Sequence, residues 1–112
     1  MPHIQINATC GIDGGQEHSL VQQLGDAISL LPGMKSEYLM IRLEDHCRLF
    51  FGGTGDCAFV EIDRFGTIPE EASQALTARI SEIVEQTLGI SRDRTYLKYT
   101  ENPYWGCHGH NL

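Results

Sequence analysis

The feature of this sequence that most constrains its fold is an approximate internal repeat. Each half contains a short strand-like segment, a long amphipathic helix ended by glycine, a polar turn and a second strand with a Tyr-Leu pair. The first unit ends in LPGMKSEYLMIRLED and the second in TLGISRDRTYLKYTE, so that Gly33 and Gly89 occupy equivalent places. Two strand–helix–strand units of this kind predict two pairs of parallel strands, each joined by a right-handed crossover.

Alternation of apolar and polar residues predicts the strands. In the first strand, residues 3–8, Ile4 and Ile6 share one face, and counting in steps of two places Pro2 on that same face. Further strands are predicted at residues 37–43, 57–65 and 94–100.

The helices are predicted from apolar stripes at helical spacing and from their end signals. The first begins near Asp13, which forms a D-x-x-Q capping pattern with Gln16, and it ends at Pro32-Gly33. The second follows the capping-box pattern from Thr67 to Glu70, with proline in its first turn, and it ends at Gly89.

These elements predict one α+β domain over residues 1–112, with a four-stranded mixed sheet and two helices on one face. A chain of this length buries a single core without disulfides or metals. The second strand alternates Tyr38 and Met40 with Leu39 and Ile41, so either register leaves apolar residues on the open face of the sheet. Because an exposed apolar sheet face needs cover, we expect a second subunit to pack there.

Charge and cysteine usage narrow the possible partners. A net charge of −7 disfavours nucleic acids and anionic membranes, and no apolar run approaches the roughly 20 residues of a membrane span. The first residues lack a basic region followed by an apolar one, so we predict a cytoplasmic protein, with non-classical secretion left open. Four cysteines without a C-x-x-C pair predict free thiols, and we expect neither metal nor cofactor.

Four separated motifs then resemble one known family. They are Pro2 directly after Met1, the strand PHIQINAT, the phrase FFGGTGDCAF and the closing GISRDRTYLKYTE. Together they resemble the macrophage migration inhibitory factor (MIF) family of the tautomerase superfamily, over residues 2–105. The middle phrase is one residue shorter than the family's FGG-x-x-x-PCA and lacks its proline. The resemblance implies a symmetric homotrimer whose sheets enclose a central barrel, with a pocket at each subunit interface.

The resemblance also implies an isomerase that interconverts keto and enol forms of small α-keto acids such as phenylpyruvate, with Pro2 as general base. This role requires removal of Met1, since the Pro2 nitrogen is otherwise an amide. An apolar pocket disfavours a charged amine and lowers its pKa towards the operating pH. We expect such a pocket to be provided by apolar side chains, namely Ile4, Ile6, Phe65 and Trp105.

Two substrate contacts are carried over by position. Tyr96 lies where the family places a tyrosine that the neighbouring subunit contributes to the pocket. Phe65 takes the place of a family isoleucine whose backbone N–H contacts substrate, and any residue except proline supplies that donor.

Three residues are candidates for the cation that holds the substrate carboxylate. The family's lysine after the first helix aligns with Met34, and Lys35 is one place further on. The family's asparagine two residues after the tyrosine is Lys98 here, and strand alternation points Lys98 the same way as Tyr96. We predict that Lys98, or a locally shifted Lys35, binds the carboxylate, with Arg42 a less favoured candidate.

The same substitutions leave two alternatives open. One is a MIF-like, cytokine-like binding or signalling protein whose tautomerase activity is weak or vestigial. The other is decarboxylation or hydration chemistry of the same superfamily, which is less favoured because the sequence shows no pair of arginines near the expected site.

Overall fold

A computed structural model describes residues 1–112 and contains the two predicted strand–helix–strand units. The first unit consists of β1 (Pro2–Ala8), α1 (Gly14–Ala27) and β2 (Met40–Glu44). The second consists of β3 (Ala58–Phe65), α2 (Glu70–Leu88) and β4 (Thr95–Asn102). A two-residue pair, β5 (Gly106–Cys107) and β6 (His110–Asn111), follows β4. No helix is long and apolar enough to cross a bilayer.

The four main strands form one mixed sheet in the order β2-β1-β3-β4. The strands within each unit are parallel, and the units meet through the antiparallel pairing of β1 with β3. This arrangement confirms the predicted fold class. It also places the first residue of β1 next to the end of β3.

The core lies between one face of the sheet and the two helices. Along β1 and β3, alternate residues are buried, which is the period of a strand with one covered face. Sixteen buried residues make up the core: Ile4, Ile6, Ala8, Leu20, Leu24, Ala27, Ile28, Leu31, Ala58, Val60, Ile62, Leu76, Ile80, Ile83, Val84 and Ile90.

Two helix ends agree with the predictions and two differ. The first helix was predicted to end at Pro32-Gly33, but α1 ends at Ala27 and is followed by a 3₁₀ turn over Ile28–Leu30. Asp13 and Gln16 form the predicted capping box, with the Gln16 N–H 2.8 Å from Asp13 Oδ1 and the Asp13 N–H 2.9 Å from Gln16 Oε1. Gly89 ends α2 with φ of 72°. The capping box predicted at Thr67 is wrong: Pro69 occupies the N-cap position, so Thr67 lies outside the helix and no side chain caps it.

Strand β2 is shorter than predicted at its start. The residues Ser36–Tyr38 form a 3₁₀ turn, closed by a hydrogen bond from the Leu39 N–H to the Ser36 carbonyl. Because this turn uses the first part of the apolar–polar alternation, the strand begins only at Met40.

The open face, defined as the sheet face directed away from the helices, is mainly polar but carries the exposed side chains of Met40 and Tyr96. The prediction that apolar residues remain on this face is therefore met only in part. The register of β1 with β2 turns Ile41 and Leu43 towards the core, and only Met40 of the large apolar residues of β2 is exposed. Hydrogen bonds and ion pairs cross this face, among them those of His3 with Asp63, Asn7 with Glu61, Lys98 with Glu61 and Arg42 with Glu44.

Candidate active site

Pro2 is the first residue of β1, and its side chain is buried on the same face as Ile4 and Ile6. Both isoleucines have no exposed surface. They therefore belong to the core beneath Pro2, and the expectation that they line an open pocket is not met in the single chain. The Pro2 nitrogen lies in a peptide bond with Met1.

The carbonyl of Met1 accepts a hydrogen bond from the backbone N–H of Phe65, at 3.1 Å. The Met1 carbonyl carbon is bonded directly to the Pro2 nitrogen, so this N–H points at the position next to that nitrogen. A backbone N–H in a partly buried strand needs an acceptor. When Met1 is absent, the Phe65 N–H is free to bind an oxygen atom of a ligand beside the Pro2 amine.

The surroundings of the N-terminus disfavour a charged amine. Partial burial, followed by the charge of Arg64, lowers the pKa of the Met1 amine below its usual value, and the Cys107 thiol acts weakly in the opposite direction. The Met1 nitrogen lies 3.5 Å from the sulfur of Met34. Met34 is partly buried against the core and brings no charge to the N-terminus.

Arg64 is the residue of this region that the sequence reasoning missed. Antiparallel pairing places it directly opposite Pro2, and it follows Val60 and Ile62 on the covered face of β3. Its Nε–H donates to the Phe65 carbonyl at 3.1 Å. The sequence held a hint of this position, because Arg64 directly precedes Phe65 and continues the two-residue spacing of Val60 and Ile62. Identifying Arg64 as the neighbour of Pro2 required the register of β1 with β3.

The predicted residues of β4 lie far from Pro2 within one chain. Tyr96 is aligned with Phe59 and through it with Asn7, five positions from Pro2 along β1. At the rise of a strand this is about 17 Å. Lys98 lies on the open face, where its Nζ is 3.4 Å from a carboxylate oxygen of Glu61 and 5.6 Å from the centre of the Phe59 ring.

The remaining candidates are spread over the surface. Lys35 is exposed and forms no ion pair, while Arg42 pairs with Glu44 at 2.7 Å. Trp105 is partly buried, and its carbonyl accepts a hydrogen bond from the Leu112 N–H. Of the predicted site residues, the structure therefore places Pro2, Phe65 and Met34 around the N-terminus, with Lys35 next to Met34 in the chain, and leaves Tyr96 and Lys98 further along the sheet.

A separate apolar cavity of about 230 Å³ lies beside Tyr96. Arg94 holds one of its lining residues, because its guanidinium donates to backbone carbonyls of the glycine-rich turn and lies 4.8 Å from the centre of the Phe51 ring. The Phe51 and Tyr96 rings are 4.6 Å apart. The lining residues are Leu49, Phe50, Phe51, Cys57, Ala58, Phe59 and Tyr96.

Comparisons with known proteins agree on one family. The sequence model described as macrophage migration inhibitory factor matches residues 1–109. The chain is similar to the structure of Leishmania major MIF2, with 23% identity over 100% of this chain and 97% of that one and a TM-score of 0.93. It is also similar to the MIF-like protein of Entamoeba histolytica, with 21% identity over 99% and 98% of the two chains and a TM-score of 0.85.

A third similar structure is that of Pt0534 inactivated by 2-oxo-3-pentynoate. Its identity is 20% over 97% of this chain and 95% of that one, with a TM-score of 0.83. No curated protein sequence matches the chain.

Proposed function

The chain belongs to the macrophage migration inhibitory factor family, in the tautomerase superfamily fold, and we propose that it is a keto–enol tautomerase of small α-keto acids such as phenylpyruvate. Pro2 is the general base, and it acts after removal of Met1. The observation that carries this proposal is the hydrogen bond from the Phe65 N–H to the Met1 carbonyl. It marks an oxygen-binding position immediately beside the nitrogen that removal of Met1 converts into an amine.

The reaction needs one proton to move between carbon and oxygen. The Pro2 amine removes a proton from C3, the carbon next to the keto group, and the electron pair of that C–H bond forms the double bond between C2 and C3. The carbonyl oxygen, which becomes negatively charged, accepts a hydrogen bond from the Phe65 N–H. The protonated amine then returns the proton to this oxygen to give the enol, and the reverse steps regenerate the ketone.

The environment of Pro2 suits a general base. A base works best with a pKa near the operating pH, and an ordinary proline amine is too basic. At this position burial and the neighbouring Arg64 already lower the pKa of the Met1 amine. Because Pro2 is itself buried and lies opposite Arg64, its free amine is subject to the same two effects.

We propose that the working form is a homotrimer in which Tyr96 of the partner subunit completes the pocket. Within one chain Tyr96 is about 17 Å along the strands from Pro2, so a second copy must bring it to the site. The polar open face suits the solvated interior of a central barrel better than a dry interface. The apolar cavity beside Tyr96 suits contact with the neighbouring subunit.

One of the similar structures supports the proposed substrate class through the compound that inactivates it. Pt0534 was crystallised after inactivation by 2-oxo-3-pentynoate, which is a small 2-oxo carboxylate. For the present chain we propose substrates with the same arrangement of a keto group next to a carboxylate.

The direct test is an enolisation assay with phenylpyruvate on protein shown by intact mass to lack Met1. We expect activity, and we expect Pro2→Ala to lower kcat/KM by at least about a hundredfold, since a positioned general base typically contributes that much. Protein with an extra residue before Pro2 must be inactive too, because its Pro2 nitrogen is an amide. Pro32→Ala, at an exposed proline after α1, is the matched control and must keep full activity.

One observation favours a second candidate function, a MIF-like binding or signalling protein with weak or vestigial activity. Met34 stands where the related family carries lysine, and Lys98 is paired with Glu61. The assay separates the two candidates. Folded, Met1-free protein without activity, or with activity that Pro2→Ala does not change, supports the binding protein and contradicts the enzyme.

A further inference from the structure

We propose that Arg64 binds the carboxylate of the ligand at the Pro2 site, so that this site selects small monocarboxylates over their neutral analogues. The inference deepens the function proposed above and rests on it for the location of the site. None of the lysines or arginines considered from the sequence occupies this place.

The position of Arg64 follows from the sheet. It is directly opposite Pro2 in the antiparallel pair of β1 and β3. The Cβ atoms of such opposite residues lie about 4.5–5.5 Å apart on the same face. The guanidinium is therefore carried by a side chain that starts beside the Pro2 ring.

Arg64 also has unpaired hydrogen-bond donors. Its Nε–H donates to the Phe65 carbonyl at 3.1 Å, which fixes the plane of the guanidinium, and its two terminal NH₂ groups have no partner. The adjacent residue on β4, Glu101, directs its carboxylate to the Ile68 N–H at 2.6 Å instead. No acidic side chain lies within ion-pair distance of Arg64.

This isolation is unusual in so acidic a chain, which has 15 Asp and Glu residues against 8 Lys and Arg. Lys35 and Arg48 are exposed, and Arg94 is held by backbone carbonyls. Arg64 is thus the partly buried cation whose donors remain open. The other four cations pair with carboxylates, namely Arg42, Arg79, Arg92 and Lys98.

The chemistry of the site indicates what these donors bind. A guanidinium presents parallel N–H groups that match a carboxylate in a bidentate pair. The next residue, Phe65, offers its N–H beside the Pro2 nitrogen. A 2-oxo acid carries its keto oxygen and its carboxylate on adjacent carbons, so donors from two adjacent residues can bind both groups of one molecule.

The test is equilibrium binding of an unreactive ligand to Met1-free protein. The probe is hydrocinnamate, and its neutral comparison is hydrocinnamamide, both measured by calorimetric or NMR titration. We expect the wild type to bind the carboxylate more tightly than the amide. Arg64→Gln should weaken carboxylate binding about ten- to hundredfold, the range for loss of a hydrogen bond to a charged group, and leave amide binding unchanged. Arg48→Gln, at an exposed arginine without an acidic partner, should change neither.

Each other outcome overturns the inference. It is wrong if Arg64→Gln binds hydrocinnamate like the wild type, if it weakens both ligands equally, or if the wild type does not prefer the carboxylate. Should Arg64→Gln fail to fold, the same two titrations are made with Arg64→Lys. A weaker preference for hydrocinnamate over hydrocinnamamide than in the wild type supports the inference, and an unchanged preference contradicts it. Arg64-dependent binding without turnover of phenylpyruvate would contradict the proposed tautomerase and leave this inference standing.

Discussion

At the residue scale, the N-terminus has two alternative states. Either the Met1 carbonyl accepts a hydrogen bond from the Phe65 N–H, or Met1 is removed and Pro2 carries a free amine. While Met1 is present, its carbonyl satisfies the Phe65 N–H and its own amine is partly buried. Removal of Met1 uncovers that donor and moves the free amine one residue inward, onto a buried proline. Cleavage of the one peptide bond between Met1 and Pro2 produces both the unpaired Phe65 N–H and the Pro2 amine. Removal of Met1 therefore decides whether a base and an oxygen-binding donor are present together.

The first prediction at this scale concerns pH. Since a general base works in its neutral form, kcat/KM for phenylpyruvate should rise with pH through the pKa of the Pro2 amine. Burial and Arg64 hold the pKa of the amine at this terminus below its usual value, so activity should extend to lower pH than an ordinary proline amine allows. Arg64→Gln removes one of the two causes, and its rate profile should shift to higher pH.

The measurement is a pH–rate profile of Met1-free wild type beside Arg64→Gln, with Arg48→Gln as a control that keeps the wild-type profile. A shift to lower pH in Arg64→Gln would contradict the electrostatic role of this residue. An unchanged profile would show that Arg64 does not act on the amine.

The site shows how far residue-level prediction could reach. Pro2, Phe65 and Met34 were found because motif positions carry over along the sequence, and the structure brings them together. Arg64 was missed because its importance lies in a cross-strand neighbour. Which residue faces Pro2 depends on the register of β1 with β3, and register is set by the packing of the whole sheet.

At the scale of elements, periodicity predicted the order of strands and helices, but local turns set their limits. The alternation around residues 37–39 continues that of β2, yet Ser36–Tyr38 form a 3₁₀ turn. Either register of β2 was predicted to leave apolar residues on the open face, and the register found leaves Met40 there. Once Ile41 and Leu43 pack on the core, the polar partners of that strand are left outside.

The two predicted capping boxes give a matched experiment at this scale. Asp13 caps α1 through the Gln16 N–H, whereas Thr67 lies before the Pro69 N-cap of α2 and caps nothing. Asp13→Ala should therefore lower the free energy of unfolding by about 1 kcal/mol. Thr67→Ala should lower it by less than about 0.5 kcal/mol, as for a surface substitution. Urea unfolding of both variants measures the difference, and equal losses would contradict the helix start at Glu70.

At the scale of the whole molecule, the proposed site divides into two parts that lie apart in one subunit. Pro2, Phe65 and Arg64 lie at one end of the sheet, and Tyr96 with its apolar cavity lies about 17 Å away along the strands. In the proposed homotrimer, the Pro2 end of each sheet adjoins the Tyr96 end of a neighbouring subunit. If each site takes Pro2 from one subunit and Tyr96 from its neighbour, two inactive variants should restore activity when they assemble into mixed trimers.

Pro2→Ala and Tyr96→Ala should each be inactive as pure trimers, because every site lacks one of its two parts. After unfolding and refolding of an equal mixture, a site is complete when a subunit with intact Pro2 adjoins one with intact Tyr96. Random assortment gives this in roughly one quarter of the sites, so the mixture should recover about a quarter of wild-type kcat per site with phenylpyruvate. Each variant refolded alone serves as control. If both residues acted within one chain, no mixture could be active, and the absence of any recovery in well-folded mixed trimers would rule out the shared site.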